Sequence, residues 1–188
     1  MSPPAPVAHS KRRMLLLLAL LFFTPLLLSF VLYYGSGWRP AGRSNHGVLI
    51  EPARALPLAA AEVLSGKWSL VYIGRGDCDA DCRDTLYYMR QTHLGLGNLM
   101  PRLQRVFLVT ANCCDRNYLA REQPGLITLN ADGAALAALL AQFPPERRAS
   151  TIFIVDPRGN LMMRYDAHED PRGLRDDLKK LLDLSHIG

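Results

Sequence analysis

The sequence predicts an α/β domain, with parallel strands beside an antiparallel hairpin, carried behind one apolar N-terminal helix. Three observations predict it. Met14 to Tyr34 is a run of 21 residues without a charge. After residue 65, short β-branched apolar runs alternate with segments of helical spacing, the pattern of strands joined through helices. Near the end, Asp156-Pro157-Arg158-Gly159-Asn160 places turn residues between two apolar runs, which marks a hairpin. The composition agrees, because 188 residues with 49% hydrophobic and 21% charged side chains describe a folded chain of one ordinary domain. The formal net charge is +5, and Lys11, Arg12 and Arg13 supply three of those charges. The remainder is close to neutral, and no arginine-aromatic interleaving appears, so nucleic acid is excluded as an expected partner.

Taken in order, residues 1–13 read as a cytoplasmic tip whose proline-rich start, Ser2–Pro6, is expected to be disordered. At about 1.5 Å per residue, Met14 to Tyr34 reaches roughly 31 Å, the thickness of a bilayer's hydrocarbon. A single membrane span is expected. A cleaved signal peptide is the competing reading, since Gly35, Ser36 and Gly37 are small, although its apolar core typically runs only about 7–15 residues. The basic triplet before the run places the N-terminus in the cytoplasm, so the body faces outward, which in a bacterium means the inner membrane and the periplasm. Residues 35–65, with Trp38, Pro40, Pro52 and Pro57, read as a tether with an edge segment around Val48–Ile50. The domain proper is expected over 66–188. Trp68–Gly74 is a buried strand, followed by a helix through Thr85, Leu86 and Met89 toward Leu96. Arg105–Thr110 is a second strand and Ile127–Leu129 a short third. Ala134–Phe143 is a helix stopped by Pro144 and Pro145. Thr151–Val155 and Leu161–Tyr165 form the hairpin, and Pro171 opens an amphipathic helix with Leu174, Leu178, Leu181 and Leu182 on one stripe. That order is a thioredoxin-like arrangement.

The chemistry-bearing residues are the four cysteines, all beyond the apolar run. Cys78 and Cys82 stand in CDADC, after a strand and at a helix entrance, where such sheets bind ligands and where the helix macrodipole favours a thiolate. A spacing of four puts both sulfurs on one face, so the pair can close a disulfide or hold one soft ion such as Cu(I). Asp77, Asp79 and Asp81 oppose a thiolate and favour a bound cation. A passive disulfide that staples the loop is the third option. Cys113 and Cys114 are adjacent in NCCD, after the second strand, and would meet the first pair if the two strands are parallel neighbours. A vicinal disulfide between them is strained and is not expected as a mere staple, so they read as resolving thiols, extra soft ligands, or one buried and one surface thiol.

CDADC after an apolar strand, with VDPRGN heading the hairpin, resembles the Sco family of thioredoxin-like cytochrome c oxidase assembly factors over roughly Leu64–Leu184. More narrowly, GWRPAGRSNHG, NCCD and DLKKLLDLSHIG look like a Sco-related membrane protein found with proteobacterial cytochrome oxidase genes. The resemblance implies copper held by Cys78 and Cys82 with a histidine shortly before the hairpin. Arg148 stands near that position and no histidine occupies Pro144–Thr151. The proline that thioredoxins carry before the strand is also missing ahead of Thr151. His168, beside Glu169 and Asp170, is the best substitute ligand, while His46, His93 and His186 read as surface residues. Arg147 and Arg148 would instead favour thiolate by their charge. Three chemistries follow: a metallochaperone passing Cu(I) to an oxidase subunit, an oxidoreductase keeping a partner's copper-site cysteines reduced, with Cys78 attacking and Cys82 resolving, and a non-catalytic scaffold. The implied partners are an oxidase subunit or another assembly factor.

Overall fold

The computed structural model describes residues 8–35, 45–57, 63–130, 133–144, 150–185 and 187. Ser2–Pro6, most of GWRPAGRSNHG, the Arg147-Arg148 pair and His186 lie outside the described residues. The chain divides into two compact units, Met1–Arg43 and Ser44–Gly188.

The first unit contains α1, Ala8–Gly35. Its segment Lys11–Gly35, with a mean hydropathy of 2.7, is long and apolar enough to cross a membrane. Apolar side chains are exposed all round it, from Met14 to Tyr34, as on a helix solvated by lipid rather than by a protein core. Pro25 cannot bond the Leu21 carbonyl. The Thr24 hydroxyl instead donates to Leu20 O at 2.6 Å, one residue earlier.

The second unit is one six-stranded sheet with helices on it. Its elements are β1 (Val48–Ala55), β2 (Trp68–Gly74), α2 (Ala80–Leu94), a 3-10 turn (Gly97–Arg102), β3 (Leu103–Val109), α3 (Arg116–Glu122), β4 (Leu126–Asn130), α4 (Gly133–Leu140), β5 (Thr151–Val155), β6 (Asn160–Asp166) and α5 (Pro171–Leu184). The strand order is β1-β6-β5-β2-β3-β4. β2, β3 and β4 run parallel, while β5, β6 and β1 are joined antiparallel. Because side chains alternate across a strand, β2 feeds two cores: Trp68, Leu70 and Tyr72 pack with Leu86, Met89, Leu174 and Leu178, and Val71 and Ile73 pack with Leu139, Phe143 and Phe153. The thioredoxin-like α/β arrangement expected from the element order is the one observed.

Two elements differ from the expectation, each for a physical reason. The edge segment is longer, Val48–Ala55, and carries an irregular register between Leu49 and Arg54. Five of its residues in a row are exposed and Pro52 interrupts its donors, so neither alternation nor a continuous apolar run announces it. Helix α3 is absent from the sequence reading. Its RNYLARE sequence has no buried residue, and at seven residues it is held by its cap and neighbours rather than by its own propensity.

Candidate functional site

The two cysteine pairs follow the ends of adjacent parallel strands, whose register runs Trp68 to Leu103 through Gly74 to Val109. Cys78 and Cys82 are joined by a disulfide, their Cα atoms 5.1 Å apart. Both are buried, at 2% and 3% exposure. The Asp79 side chain caps α2 by accepting the Cys82 N–H at 3.0 Å, which satisfies one of the helix's free donors. Arg83 Nε donates to the Cys78 carbonyl at 3.1 Å. The same guanidinium lies 3.5 Å from Asp115 Oδ2 and 4.9 Å above the Tyr118 ring, so Arg83 ties the first cysteine to the start of α3.

Cys113 and Cys114 are also joined to each other, as a vicinal disulfide, so neither is the free buried or surface thiol that the sequence leaves open. Cys113 is exposed, and Cys114 is half-buried against the apolar cluster that contains Cys78 and Cys82. The two loops are held together through Gly76. Its N–H donates to Ala111 O at 2.7 Å and its carbonyl accepts from Asp115 N–H at 3.1 Å. A β-carbon on Gly76 would lie 2.5 Å from both Asn112 O and Cys113 Cα. At the base of the loops, Thr110 donates to Gly74 O from its amide at 2.9 Å and from its hydroxyl at 3.2 Å. Cys78 at φ 38° and Asn112 at φ 51° are the only non-glycine residues with positive φ among the described residues, one in each loop. Such conformations cost on the order of 1–3 kcal/mol and concentrate where a site dictates the backbone.

A cleft of about 340 Å³ opens beside the first pair, lined by Tyr72, Gly74, Arg75, Asp79, Cys82 and Thr110. Cys82, not Cys78, forms its wall. The three aspartates around CDADC are not equivalent. Arg75 grips Asp77 with two hydrogen bonds, at 3.1 and 2.9 Å, and holds its carboxyl below the ordinary value. Burial first, and then the charges of Asp79 and Asp81, push the Tyr72 hydroxyl well above its ordinary pKa.

His168 lies exposed on the turn after β6, its ring edge-on to Tyr88 at 6.4 Å. The pairing of Thr151 with Asp166 and of Ile152 with Tyr72 puts that turn at the cysteine end of the sheet, two strands over from β2. His93 is committed elsewhere, with Nε2 at 3.0 and 3.1 Å from the Met100 and Leu103 carbonyls, and burial lowers its pKa. His46 is exposed, as expected, and its ring Nδ1 also lies 3.1 Å from Asp177 Oδ1. Among the described residues, no three histidine, cysteine, aspartate or glutamate side chains gather into a group able to hold a metal ion. Arg148, expected at the third-ligand position, is outside the described residues. Gly76, Arg83 and Thr110 were not singled out by sequence, since their roles arise only when two loops distant in the chain meet.

Solved structures similar to this chain include Sco proteins. The apo Sco1 protein of Thermus thermophilus matches with a TM-score of 0.57 at 18% identity, over 76% of this chain and 99% of its own. Yeast Sco1 with copper bound gives 0.58 at 16%, over 77% and 96%. BsSco, described through a disulfide switch as a member of the Sco family of cytochrome c oxidase assembly proteins, gives 0.50 at 15%, over 76% and 98%. At these identities the likeness is one of fold. No curated protein sequence matches the chain significantly. A family model described as "Transmembrane-like, thioredoxin-like, C-terminal domain" matches residues 68–185, from the first strand of the cysteine site to the end of the last helix. The chain therefore belongs to this thioredoxin-like family, with its matched C-terminal domain built on the fold that Sco proteins share.

Proposed function

We propose that the protein is a membrane-anchored assembly factor for cytochrome c oxidase, held in a bacterial inner membrane by α1 with its thioredoxin-like domain in the periplasm. Its working group is the Cys78/Cys82 dithiol, and the partner is an oxidase subunit or another assembly factor. The observation that carries this reading is the Cys78–Cys82 disulfide at the β2-to-α2 junction, with Cys82 in the wall of a cleft.

In its reduced form the pair keeps a partner's copper-site cysteines reduced. A thiolate of the pair attacks the partner's disulfide, giving a mixed disulfide and a partner thiolate, and the second thiol of the pair then releases the partner as a dithiol. Two electrons and two protons pass to the partner and the Cys78–Cys82 bond re-forms. The position of Cys82 in the cleft supports it as the sulfur that meets the partner. The same dithiol supports a second use, with Cu(I) as cargo. Two thiolates from one helical turn suit a soft monovalent ion, and neighbours on this fold are described with copper bound.

Thiol titration and Cu(I) titration of the purified full chain, oxidised and reduced, test both uses. The expected result is reactive thiols at Cys78 and Cys82 after mild reduction, distinguished by peptide mass from those of the more exposed Cys113–Cys114 pair, a lone Cys82 thiol in Cys78→Ser, and reduction of a disulfide-bonded peptide bearing an oxidase copper-site motif. Stoichiometric Cu(I) bound only by the reduced chain supports the cargo use. A Cys78–Cys82 bond that resists reduction until the protein unfolds would leave the scaffold reading.

A further inference from the structure

Building on the dithiol reading above, we propose that Cys113 and Cys114 form a second exchange site, through which an external dithiol protein delivers electrons to the buried Cys78–Cys82 pair. The two pairs differ first in access. Cys78 and Cys82 are buried, whereas Cys113 is exposed and Cys114 half-buried, and exchange requires that a thiolate reach a sulfur. Each pair also has its own opening. The cleft beside Cys82 and a second one of about 250 Å³ lined by Val109, Asn112, Cys113 and Asn130 share the wall residue Thr110. Cys82 is thus addressed through its cleft and Cys113 through an adjoining opening of its own.

The loops are close enough to exchange. The position of a Gly76 β-carbon, 2.5 Å from Cys113 Cα, puts the two Cα atoms roughly 4 Å apart. Cys78 is two residues further, at 3.8 Å per step, so the Cys113 and Cys78 Cα atoms are within roughly 12 Å. A disulfide between the loops needs about 4.4–6.8 Å, so from that upper bound the loops close by roughly 5–8 Å, and Cys114, its Cα 3.1 Å beyond that of Cys113, closes with them. Cys114 packs on the cluster containing Cys78 and Cys82, so it is the inward sulfur and Cys113 the outward one.

The chemistry closes without a further reactant. A thiolate of the external dithiol attacks Cys113 Sγ and expels Cys114 as a thiolate; the second external thiol then frees Cys113, leaving an external disulfide and a vicinal dithiol. Cys114 attacks the Cys78–Cys82 bond, forming one inter-loop disulfide and freeing one thiolate. Cys113 then attacks Cys114 Sγ, which re-forms the vicinal bond and frees the last cysteine of the buried pair. The sum is one external dithiol oxidised and one Cys78–Cys82 disulfide reduced.

The test is the rate at which reduced thioredoxin, used as a bulky dithiol probe, reduces Cys78–Cys82 in the full-length protein in detergent, read by alkylation and peptide mass. In the C113A/C114A variant the rate is expected to fall on the order of tenfold or more. In C113S, where the releasing thiol is gone, an inter-loop disulfide from Cys114 to Cys78 or Cys82 is expected to accumulate. A rate unchanged in C113A/C114A, or no inter-loop disulfide in a folded C113S protein, overturns the relay while leaving the dithiol reading intact. Failure of the wild-type Cys78–Cys82 bond to be reduced at all overturns both.

Discussion

Gly76 is where the two cysteine loops meet, and its missing side chain permits the meeting. The atoms that an alanine would strike are backbone atoms, Asn112 O and Cys113 Cα at 2.5 Å, which cannot rotate away. Gly76→Ala is therefore expected to destabilise the domain by about 1–3 kcal/mol and to separate the pairs, with a lower denaturation midpoint and slower exchange between loops as the readouts. Asp177 is a second residue whose role appears only in three dimensions. It is buried on α5 and accepts from the His46 and Gly47 amides at 2.7 and 3.2 Å and from the Tyr165 hydroxyl. Burial alone would raise its carboxyl, but the bonds from Tyr165, Gly47 and His46 prevail and hold it below the ordinary value. A depressed folded pKa stabilises the protein above the unfolded carboxylate value of about 3.9, and that contribution is lost as pH falls through the folded value. Asp177→Asn is expected to lower stability at neutral pH and to flatten the acid limb of the stability profile below about pH 4, measured by denaturant unfolding across pH.

At the scale of elements, what could be read beforehand was what local pattern encodes. β2 is a fully buried run, and the β5–β6 turn is fixed by Asp156, whose carboxylate accepts from the Arg158 and Asn160 amides at 2.9 and 2.8 Å. Both needed only their own residues. The extent of β1 and the existence of α3 depend on neighbours, and so does the joining of the loops at Gly76; no periodicity carries that information. The start of α2 shows the two levels competing. Asp79 is needed as a cap, yet its charge opposes thiolate at the Cys82 it caps. Asparagine caps as well as aspartate. Asp79→Asn is thus expected to leave thermal stability nearly unchanged while raising the thiolate fraction of the reduced pair at neutral pH, read from thiolate absorbance. An unchanged thiolate fraction would mean that the carboxylate is screened from both sulfurs.

For the whole molecule, the apolar helix and the thioredoxin-like domain are separate compact units, and both apolar cores draw on residues from Ile50 to Leu182. A fragment of residues 35–188 is accordingly expected to fold without the helix and to unfold cooperatively. The boundary matters at its N-terminal end, because Gly47 packs against the Tyr165 ring and the His46 and Gly47 amides satisfy the buried Asp177 carboxylate. A fragment of residues 49–188 keeps most of β1 and both cores but leaves that carboxylate without those donors. It is expected to be less stable than the longer fragment by about 1–3 kcal/mol, the cost of stripping hydrogen bonds from a buried polar group. Denaturant unfolding of the two fragments side by side measures the difference. Equal stability would mean that the short stretch before β1 only connects, whereas aggregation of both fragments under reducing and oxidising conditions alike would contradict a domain that is complete after the apolar helix.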